Sequence, residues 1–155
     1  MKIIDASAGM GSPLSETEVQ EFLSNSKFNI YIATTDRQGR PNIHPAWYYY
    51  EPQNGKLYTN TSKNSTKTDN IRENRNLYLC IDDPNPPYKG VKGGAICTIL
   101  EDLELVIPIA ERIMIKYLGS LEHPTAKGIL LHVKNGESVL LEMTPRFYST
   151  WDYSK

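Results

Sequence analysis

The sequence is short of the features that usually announce a function. Cysteine occurs twice, at Cys80 and Cys97, each inside an apolar run. Such residues read as small core side chains rather than a thiol pair, and two of them cannot build a secreted disulfide framework. Neither sign of charge is in excess: 17 Lys and Arg stand against 18 Asp and Glu, for a net charge of −1. No overall field draws the chain to nucleic acid or to an anionic membrane, so any anion site has to be local. No apolar run is long enough to span a bilayer, and the segment 1–12 is too short and polar for a signal peptide. The expectation is an intracellular, cytoplasmic protein that engages neither nucleic acid nor membrane.

Familiar catalytic spacings are missing too. There is no glycine spacing of a Walker loop, no nucleophile elbow and no recognisable triad. His123 and His132 have no metal-ligand spacing with each other or with the cysteines. The acidic pairs Asp82-Asp83 and Glu101-Asp102 fall at strand ends, where solvated turns account for them.

What is present is one domain's worth of chain: 155 residues, 39% hydrophobic. Residues 1–12 read as loosely ordered. Ser15 and Glu18 have capping-box spacing and open a short helix, Leu14 to Leu23, with Val19, Phe22 and Leu23 on one face. Phe28–Thr35, Asn42–Tyr50 and Lys56–Thr61 read as the strands of an antiparallel meander, with glycine turns between them. Ser65 caps a short polar helix to Asn74, and Leu77–Asp82 is a strand. Three prolines keep Asp83–Lys89 irregular. Ala95–Leu100 is a strand, and a helix runs from Pro108, in its first turn, to Leu118, with Gly119 as its stop. Pro124–Lys134 fits strand and helix periodicities equally. Val139–Met143 and Phe147–Tyr153 are the last strands. The sum is a mainly β domain, an antiparallel barrel with two to four helices outside it.

The chemistry concentrates between Arg40 and Asn70. NTSKNSTKTDN supplies the hydroxyls of Thr61, Ser62, Ser65 and Thr66, the cations Lys63 and Lys67, and a helix start. Free amides and the positive end of a helix attract phosphate, and lysine and hydroxyls complete a cage. Taken alone, the segment reads sooner as a solvated loop before a surface helix. PNIHPAWYYY is the other half. Pro45 lacks the N–H of a central ladder, which breaks the strand and frees neighbouring backbone. Trp47 and the tyrosines supply flat surface. His44 beside Pro45 reads as a surface or packing residue before an acid or base.

In their order and spacing, GRPNIHPAWYYY, GKLYTNTSKNSTKTDNIREN and IDDPNPPYKGVKGGA resemble the pyridoxamine 5′-phosphate oxidase-like flavin-binding split barrels. The likeness runs from about Phe28 to Leu100 and resumes at TPRFYSTWDY. It implies a six-stranded split barrel acting as a homodimer on a small-molecule substrate. FMN, or in one branch a deazaflavin coenzyme, would lie in a groove between subunits, with Lys63, Lys89 and Lys92 available to the anionic tail of the latter. By the resemblance, Thr59, Asn60, Thr61 and Ser62, with Ser65, Thr66 and Lys67, meet the phosphate. Lys67 is the leading candidate. The family often carries arginine where Thr66 stands, and Lys63 is the substitute at hand. Pro45, Ala46 and Trp47 lie along the ring, and Tyr88 and Trp151 come from the other subunit. The oxidase itself grips its substrate with arginine and histidine near the C-terminus. Here Arg146 stands without a histidine, so vitamin B6 synthesis is not assigned. The expectation is an FMN-dependent oxidoreductase; the alternatives are a deazaflavin-dependent reductase of the same fold or a flavin- or haem-binding protein without turnover.

Overall fold

A computed structural model describes residues 1–155. Its elements, in chain order, are β1 (Ile3–Asp5), α1 (Glu16–Asn25), β2 (Ile30–Thr35), β3 (Pro41–Ala46), β4 (Tyr49–Glu51), β5 (Lys56–Ser62), α2 (Thr66–Glu73), β6 (Asn76–Asp83), β7 (Lys89–Leu100), α3 (Leu103–Leu118), α4 (Pro124–Lys134), β8 (Ser138–Pro145) and β9 (Tyr148–Asp152). The strands share one sheet in the order β3-β2-β6-β7-β8-β5-β4, with β9 paired to β7 and to β1. Every pairing is antiparallel except β1 with β9. The expected mainly antiparallel split barrel with outer helices is what forms; the strands number nine because short pieces are added at the ends.

Alternation explains the inside of the barrel. In β2, Ile30, Ile32 and Thr34 are buried while Tyr31 is exposed, and in β6 Leu77, Leu79 and Ile81 are buried while Tyr78 is exposed. Together with Leu57, Val91, Leu141, Met143 and others they form a core of twenty buried residues. β7 is the hinge of the sheet. Its first four residues pair with β9 and its last six with β8. The change of partner falls at Gly93-Gly94, where a Cβ on Gly93 would sit 2.1 Å from the Phe147 carbonyl oxygen. Only glycine lets the two backbones approach that closely.

A second apolar cluster lies outside the barrel wall. α3 and α4 pack Val106, Ala110, Ile113, Met114, Leu130 and Val133 against Tyr58 and Leu140, which point outward from β5 and β8. No helix is long and apolar enough to cross a membrane.

Three expectations need correction. Asn42–Tyr50 is two strands at opposite ends of the sheet path, β3 and β4, because the chain leaves the ladder at Trp47-Tyr48. The helix expected from Pro108 begins five residues earlier: Asp102 caps it, its carboxylate accepting the Glu104 N–H at 3.0 Å, and Pro108 lies inside it. Proline removes the bond to the Glu104 carbonyl, but Glu104 is exposed, so water can take its place. Residues 1–12, expected to be loose, contain β1 and a bridge from Ser12 to Asp152, since β9 offers them an open edge. The ambiguous Pro124–Lys134 is helix, with Pro124 in its first turn.

Candidate functional site

The largest cavity, about 720 Å³, opens outside the barrel where the end of β3, the second half of β5, the start of α2 and the helices α3 and α4 meet. Asn60 belongs to the outward face of β5, between the inward Thr59 and the strand end, so strand alternation alone directs it there. Pro45, Ala46 and Trp47 form one side, and Met114 and Ile129 add apolar surface from the helices. Thr61, Ser62, Lys63 and Lys67 make the remaining wall polar and cationic.

The aromatic side is fixed from α3. The Trp47 ring stacks on Tyr117 with centroids 4.9 Å apart and planes 6° from parallel. The Tyr117 hydroxyl donates to the Phe28 carbonyl at 2.9 Å and accepts the Tyr48 N–H at 3.3 Å. Lys116 donates to the Tyr48 carbonyl at 3.1 Å and lies 3.5 Å above the Tyr48 ring. The Thr59 hydroxyl donates to the Trp47 carbonyl at 3.0 Å. The Trp47 carbonyl and both backbone groups of Tyr48, freed where the strand breaks, thus find partners, and the Trp47 ring rests on Tyr117. Pro45 sits in the terminal strand β3, where a missing N–H is tolerated.

The polar end is built by the turn into α2. Ser65 is the N-cap: its hydroxyl accepts the Thr68 N–H at 3.3 Å and meets the Thr68 hydroxyl at 2.8 Å, which in turn donates to the Ser62 carbonyl at 2.8 Å. This leaves the first amides of the helix, those of Thr66 and Lys67, facing outward without a helical partner. A smaller polar cavity of about 260 Å³ adjoins them, lined by Asn42, His44, Ser65, Thr66 and Lys67. His44 and Lys67 line both cavities. Lys67 is only 6% exposed and has neither an ion pair nor a hydrogen bond for its ammonium. Burial pushes its pKa down. The charge of Lys67, and then burial, pushes His44 down. A cation partly stripped of water and without a partner in the fold favours an anion at its open end. An oxyanion is the group that would complete this set of donors.

Of the residues expected from the sequence, Pro45, Ala46, Trp47, Asn60, Thr61, Ser62, Lys63 and Lys67 come together on the large cavity, and Ser65 and Thr66 on the small one. Thr59 does not: it is fully buried and its hydroxyl is engaged by Trp47. Tyr88 is exposed at the head of β7, and Trp151 lies in β9 against Gly90; neither lines a cavity within one chain. The structure adds Asn64, Met114, Ile129, His132, Glu137 and Ser138. His132 and Glu137 are in direct contact through ring nitrogen and carboxylate, and the Glu137 carbonyl accepts the Lys63 N–H at 3.0 Å. The signal for this wall lay in Pro124–Lys134: read as helix, Ile129 and His132 fall on one face.

Residues 15–151 match the family model described as pyridoxamine 5′-phosphate oxidase. No curated protein matches the sequence. Among solved structures, a conserved hypothetical protein from Mycobacterium tuberculosis superposes with a TM-score of 0.77 at 22% identity, covering 90% of this chain and 86% of that one. An F420 reductase gives 0.66 at 20% identity, with 83% and 94% covered. HutZ, the haem storage protein of Vibrio cholerae, gives 0.64 at 18% identity, with 84% and 89% covered. At these identities the likeness is one of fold.

Proposed function

The chain belongs to the pyridoxamine 5′-phosphate oxidase family, and we propose that it binds FMN in the large cavity and works as an oxidoreductase on a small substrate. The observation that carries this reading is Lys67. A lysine whose chain is buried and whose ammonium opens onto the cavities with no counter-charge, beside the free amides of a helix start, fits a phosphate. The adjoining cavity has the volume of a cofactor site, and Trp47, Met114 and Ile129 give its lining flat and apolar surface, which suits a planar ring. FMN would supply the hydride chemistry. The protein's part is to hold the phosphate on Lys67, Ser65 and Thr66, to lay the ring along Pro45–Trp47, and to keep water from one face of it.

The same reading gives the chain a second copy as partner. The outer face of β3, β2 and β6 exposes Ile43 at 66%, Tyr78 at 47% and Tyr31 at 37%. Cross-strand register puts Pro45, a cavity residue, on that face beside Tyr31. An apolar patch continuous with the cavity suits a dimer whose partner closes the site. Tyr88 and Trp151, which miss the cavity in one chain, are the residues a partner would bring to it.

FMN is placed ahead of the deazaflavin coenzyme because only Lys63 of the three lysines expected along an anionic tail lines the cavity; Lys89 belongs to a separate cleft. The test is an absorption titration with FMN and then with the deazaflavin coenzyme. Saturable FMN uptake with a perturbed flavin band supports the proposal. Uptake of the deazaflavin alone transfers the function to that coenzyme. A bound flavin that no nicotinamide donor reduces makes the protein a carrier, and uptake of neither removes the cofactor reading. Sedimentation checks the dimer: a stable monomer that binds FMN tightly would refute the shared site.

A further inference from the structure

We propose that His44 is the second cation of the anion cradle, so that an oxyanion seated beside Lys67 brings one proton into the site with it. The proposal rests on the phosphate reading above and adds the condition under which the site fills. His44 stands in β3 and shares both cavities with Lys67. Two adjacent cations without a counter-ion repel, and the charge of Lys67 is the first cause that pushes the imidazole's pKa down. A doubly charged oxyanion between them reverses that balance. It screens Lys67 and offers an acceptor to an imidazolium N–H.

The surroundings of His44 leave this role to a ligand. Across β2 its register neighbour is Ile32, which is buried and apolar. From α2 it meets Lys67, while Asp69 lines a different cleft with Arg37, Arg40 and Arg72. Within the two cavities the other charged or titratable groups are Lys63, His132 and Glu137, and the carboxylate of Glu137 is engaged by His132. No carboxylate is free to hold a proton on His44. The negative charge has to arrive from outside, and a phosphate monoester in its dianionic form carries enough of it.

The sign follows directly. His44 lies below its ordinary range in the free protein and rises when the anion binds, so the complex holds one more proton between the two midpoints. Anion affinity is then greatest at low pH and declines as pH climbs from the free midpoint to the bound one. Neutral riboflavin, which lacks the phosphate, carries no such dependence.

The experiment uses sulfate, which stays doubly charged throughout, and follows the histidine ring protons by NMR between about pH 5.5 and 8.5, the range a histidine spans. There are only 3 histidines, and His44→Asn assigns the signal. Saturating sulfate should raise the His44 midpoint by about one unit, and sulfate affinity should fall about tenfold across the range, the two being one effect. In His44→Asn the affinity should be flat, and in His44→Lys flat and tighter at high pH. An unmoved His44 midpoint, or an unchanged slope in His44→Asn, overturns the proposal. FMN bound with such a flat profile would leave the phosphate reading standing and remove only this one. Failure of sulfate and FMN at every pH removes both.

Discussion

Two lysines of this molecule are held largely out of water, and they differ in what they touch. Lys116, on α3, donates to the Tyr48 carbonyl and lies on the Tyr48 ring, with Tyr117 5.1 Å away. Lys67, on α2, is deeper by exposure and bonds to nothing. Burial pushes both down, Lys116 to about 8. The desolvation is the same kind of penalty in each case. The difference is that Lys116 recovers part of it inside the fold, by satisfying a carbonyl orphaned where β3 gives way to β4. Lys67 has no partner in the fold, and its ammonium is left to whatever enters the cavity. A buried charge is therefore informative about function through its partners, not through its burial: one of these lysines is a structural tie, and the other is the one on which the proposed phosphate site rests.

Replacing each by methionine should separate the two roles, and the largest effect belongs to Lys67. Lys67→Met removes a charge-assisted contact, so FMN affinity should fall by about 1.5–3 kcal/mol. The ligand-free protein should become more stable, by about 1 kcal/mol or 2–4 °C in Tm, since an unpaired buried charge gives way to an apolar chain of similar volume. Calorimetric titration and thermal unfolding of one sample read both. A fall in Tm would mean Lys67 has a structural partner after all. Lys116→Met should invert the pattern. It orphans the Tyr48 carbonyl and removes the cation over the ring, so stability should drop by about 1–2 kcal/mol, with FMN affinity disturbed far less than by Lys67→Met. Thr59→Val, which strips the Trp47 carbonyl of its donor at nearly constant volume, should cost about 1 kcal/mol in urea unfolding. If it weakens FMN as much as Lys67→Met does, Thr59 is a ligand contact and not a strut.

Sequence reading reached the polar half of this site better than the rest of it, for a physical reason. Ser62–Lys67 is contiguous, and a capped helix start is a local object, so the cluster could be recognised before any fold was known. The opposite wall is assembled from Met114, Ile129, His132 and Glu137, which meet the cluster only through the packing of α3 and α4 on the outside of β5 and β8. Nothing local ties those residues to the cluster, and Pro124–Lys134, whose helical reading puts Ile129 and His132 on one face, alternates well enough to pass as a strand. The same limit hid the break at Trp47-Tyr48. Its cause is Tyr117, far along the chain, which accepts the Tyr48 N–H that a continuous strand would have used. Strand alternation in β2 and β6, by contrast, is local and predicted the barrel interior correctly. Thr59 is the member of the expected set that lies off the cavities: a threonine in mid-strand looks available until the carbonyl it serves is known.

A third lysine completes the series at its exposed end. Lys155 meets Glu18 at 2.5 Å, with both side chains more than a third exposed. Here charge is paired in water instead of unpaired in the interior, and the expected effect is the smallest. Lys155 first, then the Ser15 amide and hydroxyl, hold Glu18 down to about 2 from an ordinary 4.5. A carboxyl lowered in the folded state stabilises it above the unfolded value, and that contribution is lost as pH falls from about 4.5 to about 2. Solvent screening keeps such pairs within about 0–1 kcal/mol. Glu18→Gln should therefore lower Tm at neutral pH by a small amount and flatten its loss on acidification by that same amount. Lys155→Ala should raise the Glu18 midpoint without restoring it fully, because the capping box from Ser15 remains. If Lys155→Ala moves neither the midpoint nor the acid limb, the ion pair adds nothing in water. The cap alone would then tie down this carboxylate, and an exposed partner would be worth less to a lysine here than the neutral carbonyl that holds Lys116.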